Sequence, residues 1–480
     1  MPQTAPLSAP PTPAAAVVAR PNRIALLVML SGTFMAVLDF FIVNVAIPSI
    51  QHELHATSGA LQLIVIGYGL ANAAALITGG RLGDIHGRRR LFMIGIGLFT
   101  LASAACGVAP NTETLIAARI AQGVASALLQ PQVLAMLGIL FSGVERQRAF
   151  AAYGLALGLA AASGQLIGGL LIDANLGGLG WRACFLINVP IGLAALLLSP
   201  RVLPPLRGQA TSRLDLPGMA LIAIALTTAV FPLAQGRDEG WPLWSFLCLG
   251  AALPLLALFW RHQRSLAANG GQPLVAPALM AHKPFVLGLL VTLVFYASNA
   301  SFYFVLALYL QQGLGLAPLS SGLVFTTLAV GFFAASMASP WFARRLGRHA
   351  IFAGALVLAA GHALLYVALP QLHAATVGWM LPVLLIQGGG LGVVMAPLVA
   401  VVLSGLPQQH AGVASGVMAT MQQVGNALGV ALIGVLYYGA AAGNAVHSFG
   451  ASLVYLFVLA IAVAVLYRRF SRASSAKEAS

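Results

Sequence analysis

Residues 61–110 read LQLIVIGYGLANAAALITGGRLGDIHGRRRLFMIGIGLFTLASAACGVAP, and this segment indicates the fold class. It contains two apolar runs, 59–80 and 91–110, and the short loop between them carries four arginines and one aspartate. An apolar run of about 20 residues is long enough to cross a bilayer as a helix. In lipid, only helices and closed barrels satisfy their own backbone polar groups. Because these runs are continuous rather than alternating, they predict two membrane-spanning helices joined by a basic loop.

The rest of the chain repeats this pattern of apolar runs and short polar loops. Hydrophobic residues make up 60% of the 480 positions and charged residues 7%, with a mean hydropathy of +0.93. A soluble domain carries about 25% charged residues, so this composition excludes a water-soluble fold. We predict an all-helical membrane protein with fourteen spans, at 24–46, 59–80, 91–110, 113–140, 149–172, 183–199, 214–234, 243–262, 285–310, 320–343, 350–369, 377–403, 412–438 and 449–467.

The distribution of positive charge orients these spans. The net charge is +14, but the basic residues recur in short clusters between spans instead of forming one face, which argues against nucleic-acid binding. With the N-terminal tail and every second loop placed in the cytoplasm, all 24 Lys and Arg residues except Arg119, Arg182 and Arg237 lie on that side. This bias matches the positive-inside rule. We therefore expect a multi-pass protein of the inner (plasma) membrane with both termini cytoplasmic.

A related loop motif occurs twice in the sequence and divides the chain into two halves. GRLGDIHGRRR (80–90) follows span 2, and PWFARRLGRHA (340–350) follows span 10. Two related six-span bundles, with a substrate site between them, are the architecture of many transporters. The predicted units are, in chain order, a disordered tail (1–23), an N-terminal bundle (24–199), two inserted spans with linkers (200–284), a C-terminal bundle (285–467) and a cytoplasmic tail (468–480).

Six motifs, in order, resemble the fourteen-span drug:proton antiporter branch of the major facilitator superfamily. They are LDFFIVNVAIP (38–48), GRLGDIHGRRR (80–90), RIAQGVASA (119–127), WRACFLINVPIG (181–192), YLQQGLGLAPLSSG (309–322) and AGVASGVMATMQQVGNALG (411–429). The resemblance covers nearly all of the chain from span 1 to span 14. It implies a major facilitator fold, export by alternating access and no cofactor.

The resemblance also implies which residues gate the conformational change. The loop motif contributes Gly80, Asp84, Gly87 and Arg88, and we expect Asp84 to dock near Gly412 at the start of span 13, where unpaired helix amides carry partial positive charge. The antiporter motif of span 5 contributes Gly164, Gln165, Gly168 and Gly169. Gln165 replaces the proline that is usual there, which weakens the prediction of export. Small residues in span 13, including Gly416 and Gly425, suggest that span 13 is the packing partner of span 5.

Asp39 and Arg119 are the predicted proton-coupling pair. A charge at the bilayer centre costs at least about 2.5–3.5 kcal/mol, so both residues need a reason to be there. A neighbouring guanidinium favours the carboxylate, whereas loss of water favours the neutral acid. A carboxyl group balanced between these effects can load and release a proton. The alternative is a static ion pair that only fixes span 1 to span 4.

Polar residues within the spans are candidates for a substrate cavity. Gln122, Ser126 and Gln130 follow Arg119 at helical spacing on span 4, so they share one face. The other candidates are Asn44, Tyr296, Asn299, Tyr303 and Gln387. Helix–helix hydrogen bonding within the bundle is the alternative for the span 4 stripe. By the family architecture span 11 is peripheral, so we interpret His362 as a core histidine.

The sequence shows no phosphate-binding loop, nucleophile–base pair or metal-ligand cluster, so we predict neither an enzyme nor an ATP-driven pump. The leading hypothesis is a proton-coupled exporter of small apolar or amphipathic compounds. The alternatives are a transporter of one nutrient or metabolite and a non-transporting membrane sensor. The expected partners are a small-molecule substrate, protons and the lipid bilayer, and either a monomeric pump or one that passes cargo to a periplasmic adaptor fits the sequence.

Overall fold

The computed structural model describes residues 23–206, 208, 214–403, 406, 411–440 and 444–478, and their regular secondary structure is entirely helical. The α-helices are α1 Arg23–Leu54, α2 Ser58–His86, α3 Arg88–Gly107, α4 Thr112–Leu140, α5 Gly143–Ala174, α6 Ala183–Leu186, α7 Asn188–Val202, α8 Leu216–Gln235, α9 Leu243–Ala268, α10 Pro277–Met280, α11 Lys283–Leu308, α12 Pro318–Met337, α13 Ser339–Leu346, α14 Ala350–Ala368, α15 Met380–Leu403, α16 Ala411–Gly439 and α17 Ala445–Glu478. Short 3₁₀ and π turns extend several of them.

The number of membrane-spanning helices agrees with the sequence. In the described part of the chain, thirteen helical segments are long and apolar enough to cross a bilayer. The helix α5 is bent by 41° between Gly143–Ala161 and Ser163–Ala174, and it gives a fourteenth span when its two parts are counted together. The short helices α6 and α7 belong to one span, Gly180–Val202. The predicted all-helical membrane fold is therefore confirmed.

Several helices extend beyond the apolar runs that predicted them. The helix α1 continues to Leu54, past the predicted end at 46, and Glu53 in its last turn accepts hydrogen bonds from Trp181 Nε1 (2.7 Å) and from Arg182. The helix α17 continues to Glu478, so most of the predicted tail is helical. The segment predicted as a loop at 340–350 contains most of α13. Polar contacts, which hydropathy does not register, account for the extension of α1.

Two bundles face each other across an interface. The N-terminal half consists of α1 to α7 and the C-terminal half of α11 to α17, and they meet where α1 packs on α11, α2 on α16 and α5 on α12. We call the end of the molecule that carries Arg23 and the end of α17 the terminal side, and the opposite end, with Glu53, the distal side. Each half is therefore a bundle of its own. We call the set of contacts between the two bundles the seam.

The small residues of α5 contact two different helices. A Cβ on Gly164 would lie 3.0 Å from Phe41 Cβ, and a Cβ on Gly168 would lie 2.5 Å from Val45 Cγ1, both on α1. A Cβ on Gly169 would lie 2.5 Å from the Pro318 carbonyl oxygen, at the start of α12 in the other half. The expectation that α5 packs on α16 is wrong, because among the described residues α16 packs mainly on α2 and α11. Spacing identifies a small-residue face but not the helix that covers it.

The inserted pair, α8 and α9, lies beside the seam. The helix α8 packs on both α2 and α16, and therefore on both halves. In the turn that follows it, Asp238 accepts a hydrogen bond from the Gly59 amide (2.7 Å) in the first turn of α2. The adjacent Arg237 donates to the Tyr438 carbonyl in the last turn of α16. Each charge complements the dipole of the helix end it contacts.

On the terminal side, the same pair is held by a polar cluster around Asp215. The buried carboxylate of Asp215 caps α8 by accepting from the Gly218 amide (2.9 Å), and it also accepts from His262 (2.7 Å) and Gln263 (2.7 Å) on α9. Burial by itself raises the pKa of the Asp215 carboxyl, but the hydrogen bonds from His262, Gln263 and Gly218 outweigh it, and the pKa lies below its usual range. The cluster therefore depends on an ionised Asp215.

Candidate functional site

Asp39 on α1 and Arg119 on α4 form an ion pair inside the N-terminal half. Both side chains are 0% exposed, and an Nη1 hydrogen bond joins Arg119 to Asp39 Oδ2. Arg119 also donates from Nε to the Ile64 carbonyl (3.0 Å) and from Nη1 to Gln122 Oε1 (2.6 Å). The structure thus brings together the two residues that the sequence paired. Their role in proton coupling stays a prediction.

The second carboxylate oxygen of Asp39 is held by neutral donors. Gln122 Nε2 lies 2.8 Å from Asp39 Oδ1, and Asn188 Nδ2 lies 3.0 Å from the same atom. Gln122 Nε2 is also 2.7 Å from Ser103 Oγ on α3. We call these five residues, Asp39, Ser103, Arg119, Gln122 and Asn188, the Asp39 network. Sequence reasoning missed Ser103 and Asn188, although a fully buried asparagine within the apolar run 183–199 is the same kind of signal as Asp39.

Aromatic rings surround the guanidinium of Arg119. Its carbon Cζ lies 4.6 Å from the centroid of Tyr68 and 5.6 Å from that of Phe185. These rings exclude water and attract the cation. Removing one member of such a buried pair leaves an uncompensated charge, which typically costs about 3–5 kcal/mol. The contact between α1 and α4 at this point therefore depends on both charges.

The polar stripe of α4 faces neighbouring helices of its own half. The Tyr68 hydroxyl, the Asn72 amide nitrogen and the Gln130 amide nitrogen each lie 2.9 Å from Ser126 Oγ. Gln122 belongs to the Asp39 network. This geometry matches the alternative of hydrogen bonding between helices for Gln122 and Ser126. Contact of this stripe with a substrate stays a prediction that needs a different conformation.

Three other predicted cavity residues lie on α1 and α11, two helices that meet across the seam. Tyr303 stacks on Phe325 with ring centroids 5.6 Å apart and meets Phe41 of α1 edge-on at 5.0 Å. Tyr296 is buried further along α11. Asn44 bonds back to its own helix, at the carbonyls of Phe40 (3.3 Å) and Phe41 (3.2 Å). Phe41 and Tyr303 thus join the two halves through aromatic contact.

Gln387 and Asn299 line a small cavity within the C-terminal half, and His362 lines it with them. The cavity has a volume of about 20 Å³, which is enough for one water molecule. Neither polar atom of the Gln387 amide, nor His362 Nδ1, has a hydrogen-bond partner among the described residues. The ring of His362 also packs edge-on against Phe302, with centroids 5.2 Å apart. The histidine is buried, as expected for a core residue, and it belongs to a polar cluster with two predicted cavity residues.

The loop motif lies on the terminal side between α2 and α3. Asp84 pairs with Arg88, which also donates to Gln132 Oε1 on α4 (3.3 Å). Gly87 has a φ of 92°, a backbone conformation that favours glycine, and it allows the chain to turn sharply into α3. Gly80 packs loosely on Pro131 of α4. The surroundings of Gly412 lie outside the described residues, so the docking of Asp84 near the start of α16 stays a prediction.

Contacts between the halves close the distal side. Gln311 Nε2 donates to the Val45 carbonyl (3.0 Å), and Gln312 Nε2 donates to Gln51 Oε1 (2.7 Å), each bond joining the end of α11 to α1. The close approach of Gly169 to Pro318 lies at the same level. Gln165, one turn away, is 1% exposed, and its amide has no hydrogen-bond partner among the described residues. The protein is therefore shown with its distal side closed.

Two helical bundles that meet along a seam, with buried ionisable residues inside one of them, are the architecture of many membrane transporters. The family model described as "Major Facilitator Superfamily" matches residues 29–430. The chain belongs to the major facilitator superfamily.

Curated relatives agree with the predicted branch. The chain is 37% identical to a probable actinorhodin transporter of Streptomyces coelicolor, over 88% of this chain and 74% of that protein. It is 36% identical to a cephamycin export protein of Amycolatopsis lactamdurans, over 79% and 78% of the two chains. It is also 36% identical to a puromycin resistance protein of Streptomyces alboniger, over 78% and 73%. The resemblance to the drug-efflux branch is confirmed by these relatives.

Solved structures support the fold alone. A structure of a proton-dependent oligopeptide transporter superposes with a TM-score of 0.67 at 15% identity, covering 95% of this chain and 100% of that one. A D-xylose–proton symporter superposes with a TM-score of 0.67 at 14% identity, covering 93% and 97%. Identities this low carry no information about the cargo.

Proposed function

We propose that this protein exports small apolar or amphipathic compounds across the plasma membrane in exchange for protons. The observation that carries the proposal is the Asp39 network: a carboxylate with no solvent exposure, in the membrane-spanning part, paired with Arg119 and held by Gln122 and Asn188. An intramembrane ionisable residue of this kind is a default candidate for a proton-transfer site.

The network is connected to the seam between the halves through α1. Asp39 faces α4, while Leu38 and Phe41 on either side of it contact Gly164 of α5. Phe41 also contacts Tyr303 of the C-terminal half. Protonation of Asp39 neutralises the carboxylate that pairs with Arg119, and this weakens the contact between α1 and α4. A shift of α1 then acts directly on α11 of the C-terminal half, and it acts through α5 on α12 of the same half. By this route, proton loading favours reopening of the distal side.

Export, rather than uptake, is supported by the names of the relatives. The three proteins compared above are named as an actinorhodin transporter, a cephamycin export protein and a puromycin resistance protein. We propose that the terminal side is cytoplasmic, in line with the basic residues gathered there, and that the cargo enters from the cytoplasm. In the distal-closed conformation, that entry would be through the seam on the terminal side.

Transport assays with inside-out vesicles test the proposal. With an acidic lumen, a fluorescent monocation such as ethidium and the neutral form of puromycin should be taken up by vesicles that contain the protein. Addition of either compound should reverse the quenching of a pH-sensitive dye, because each entry releases protons. Vesicles that lack the protein provide the control.

The alternatives predict different results in the same assay. A nutrient importer that works by proton symport would move its solute out of the vesicles together with protons, so the solute flux would reverse while the proton flux would keep its direction. A sensor would give binding without flux. Uptake of ethidium or puromycin that continues unchanged after both the pH gradient and the voltage are collapsed would contradict proton-coupled export.

A further inference from the structure

A groove between α14 and α17 opens on the terminal side of the C-terminal half. It encloses about 310 Å³, and α14 packs directly on α17 along it. Its basic end is formed by Arg468, Arg469 and Arg472 of α17. Its floor is apolar and includes Leu356 of α14 and Val465 of α17.

The lining of the groove changes from apolar to basic along the axis of α17. On α17, Ile461, Val465, Arg468 and Arg472 are spaced by four, three and four residues, so they lie on one stripe. At 1.5 Å per residue the stripe is about 16 Å long, apolar toward the membrane interior and cationic at the terminal end. Val465 is 48% exposed and Leu356 is 40% exposed, so the apolar floor is open to lipid. This polarity matches that of a phospholipid, with acyl chain inward and headgroup outward.

The three arginines lack acidic neighbours. Between Glu239 and Glu478 the sequence contains no Asp or Glu, and Glu478 lies six residues beyond Arg472. None of the ion pairs found in the described part of the chain includes an arginine of the groove. Arginine favours phosphate, because its planar guanidinium donates two parallel hydrogen bonds. The anion that neutralises the cluster must therefore come from outside the bundle.

We propose that this groove binds an anionic phospholipid, with its phosphate on Arg468, Arg469 and Arg472 and an acyl chain along Leu356, Ile461 and Val465. Basic pockets between membrane helices on the cytoplasmic side bind anionic headgroups in this way. A zwitterionic lipid offers the same chain and phosphate but adds a positive charge beside three arginines. The site therefore selects phosphatidylglycerol over phosphatidylcholine.

Native mass spectrometry of the purified, delipidated full-length protein tests the proposal. The protein is titrated with dioleoyl phosphatidylglycerol, with dioleoyl phosphatidylcholine and with inorganic phosphate. We expect one tight phosphatidylglycerol adduct, weaker phosphatidylcholine binding, and no displacement by phosphate at equal concentration. Each arginine near the surface contributes about fivefold to lipid affinity, equivalent to about 1 kcal/mol. The triple variant R468Q/R469Q/R472Q should thus lose on the order of 100-fold, and Arg472→Gln alone about fivefold.

The matched control has the same change in charge elsewhere on the terminal side. The variant R201Q/R261Q/R264Q alters exposed arginines of α7 and α9, away from the groove, and should keep the tight adduct. Equal loss in the two triple variants would show a diffuse charge effect and overturn the site. Unchanged affinity in the groove variants, or displacement of lipid by phosphate, would also overturn it. If the groove triple variant fails to fold, the single variant Arg472→Gln tests the site. The expected loss of affinity supports the site, and unchanged affinity overturns it.

Discussion

At the scale of single residues, the arrangement around Asp39 is costly unless every member is present. A carboxylate and a guanidinium are both fully buried, and both carboxylate oxygens accept hydrogen bonds. The charge is compensated only within the pair, so a proton that neutralises Asp39 leaves Arg119 with Gln122 and the Ile64 carbonyl. This makes the network sensitive to one proton.

We expect Asp39→Asn to abolish proton coupling and to leave membrane insertion intact. Asparagine has nearly the same size but cannot release a proton or carry the charge that pairs with Arg119. The measurement is cargo-driven proton flux in vesicles at equal expression. The control is Asp173→Asn, which alters an exposed acid at the end of α5 and should transport as the wild type does. Wild-type proton exchange by Asp39→Asn would exclude Asp39 as the coupling residue.

The buried amide of Gln165 is expected to lower the thermal stability of the protein. Its amide is buried without a hydrogen-bond partner among the described residues, and each such group costs about 1–3 kcal/mol. Gln165→Leu replaces the amide by an apolar group of similar shape, so it should raise the thermal unfolding temperature of the purified protein. Gln130→Leu, which removes the contact with Ser126 Oγ, should not raise it. A lower unfolding temperature for Gln165→Leu would mean that the amide is paired in the protein.

At the scale of helices, α5 of one half and α12 of the other approach each other closely on the distal side. The glycine at 169 is required there because a side chain would meet the Pro318 carbonyl at 2.5 Å. Gly154 lies about four turns earlier on the same helix. A Cβ at that position would enter open space, with no neighbouring atom within 4 Å. Alanine at either position changes the helix propensity in the same way, but only alanine at 169 meets another helix. Comparing the two variants therefore separates the effect of the contact from that of helix propensity.

We expect Gly169→Ala to shift the protein toward a distal-open conformation, because the added methyl group pushes α5 away from α12. Spin labels at His52→Cys and Ser320→Cys, two exposed distal positions, report the separation in a Cys248→Ser background. Pulsed-EPR distances should lengthen in Gly169→Ala. They should stay unchanged in Gly154→Ala. The same distance distribution in both variants would show that this contact does not hold the distal side closed.

The inserted helices α8 and α9 depend on the charge of Asp215. Its folded-state pKa is lowered, so its contribution to stability is present above the unfolded pKa of about 3.9 and is lost as the pH falls through the folded pKa. Asp215→Asn keeps a residue that can cap α8 but removes the charge, and should cost about 1–2 kcal/mol at pH 7. The difference from the wild type should shrink below about pH 4.

Thermal unfolding at a series of pH values measures this effect. Glu145→Gln, which alters an exposed acid at the start of α5 that belongs to no ion pair in the described part of the chain, is the control and should track the wild type throughout. A difference for Asp215→Asn that is constant from about pH 3 to about pH 7 would contradict the role of the ionised carboxylate.

At the scale of the whole molecule, fixed charge is distributed unevenly between the halves. The predicted spans of the C-terminal half contain no Asp, Glu, Lys or Arg, whereas the N-terminal half holds Asp39 and Arg119. A cargo with two positive charges would need two anionic partners, because uncompensated charge in a low dielectric is expensive. The membrane interior supplies one carboxylate, and Arg119 already pairs with it.

We therefore expect neutral or singly charged cargo to be exchanged for about one proton. Exchange of a monocation for one proton moves no net charge, so only the pH gradient drives it. Export of a neutral molecule moves one charge and gains about 2.3 kcal/mol per 100 mV. With the pH gradient collapsed and the voltage kept, vesicles should pump puromycin in its neutral form but not ethidium. Robust pumping of a dication under these conditions would reveal a second acidic site.

Much of this fold was predictable because bilayer thickness imposes one length on every span. The fourteen spans and the two-bundle fold follow from apolar runs and loop motifs, and Asp39 and Arg119 stand out because charge is rare in hydrocarbon. Two other members of the Asp39 network were harder to predict from the sequence. Asn188 and Ser103 are neutral and short, and small polar residues occur in spans for many reasons. Only their distances to Asp39 and to Gln122 separate them from the others.

The membrane environment, the helices and the family could all be predicted from the sequence, since each depends on local composition or on motifs that are contiguous in the chain. Tertiary structure decided which faces meet. It placed α12 rather than α16 against α5, turned Gln122 and Ser126 toward neighbouring helices of their own half, and gathered Gln387 with His362. Helical spacing fixes which residues share a face, but the rotation of each helix is set by packing against several neighbours at once, and no single segment encodes that.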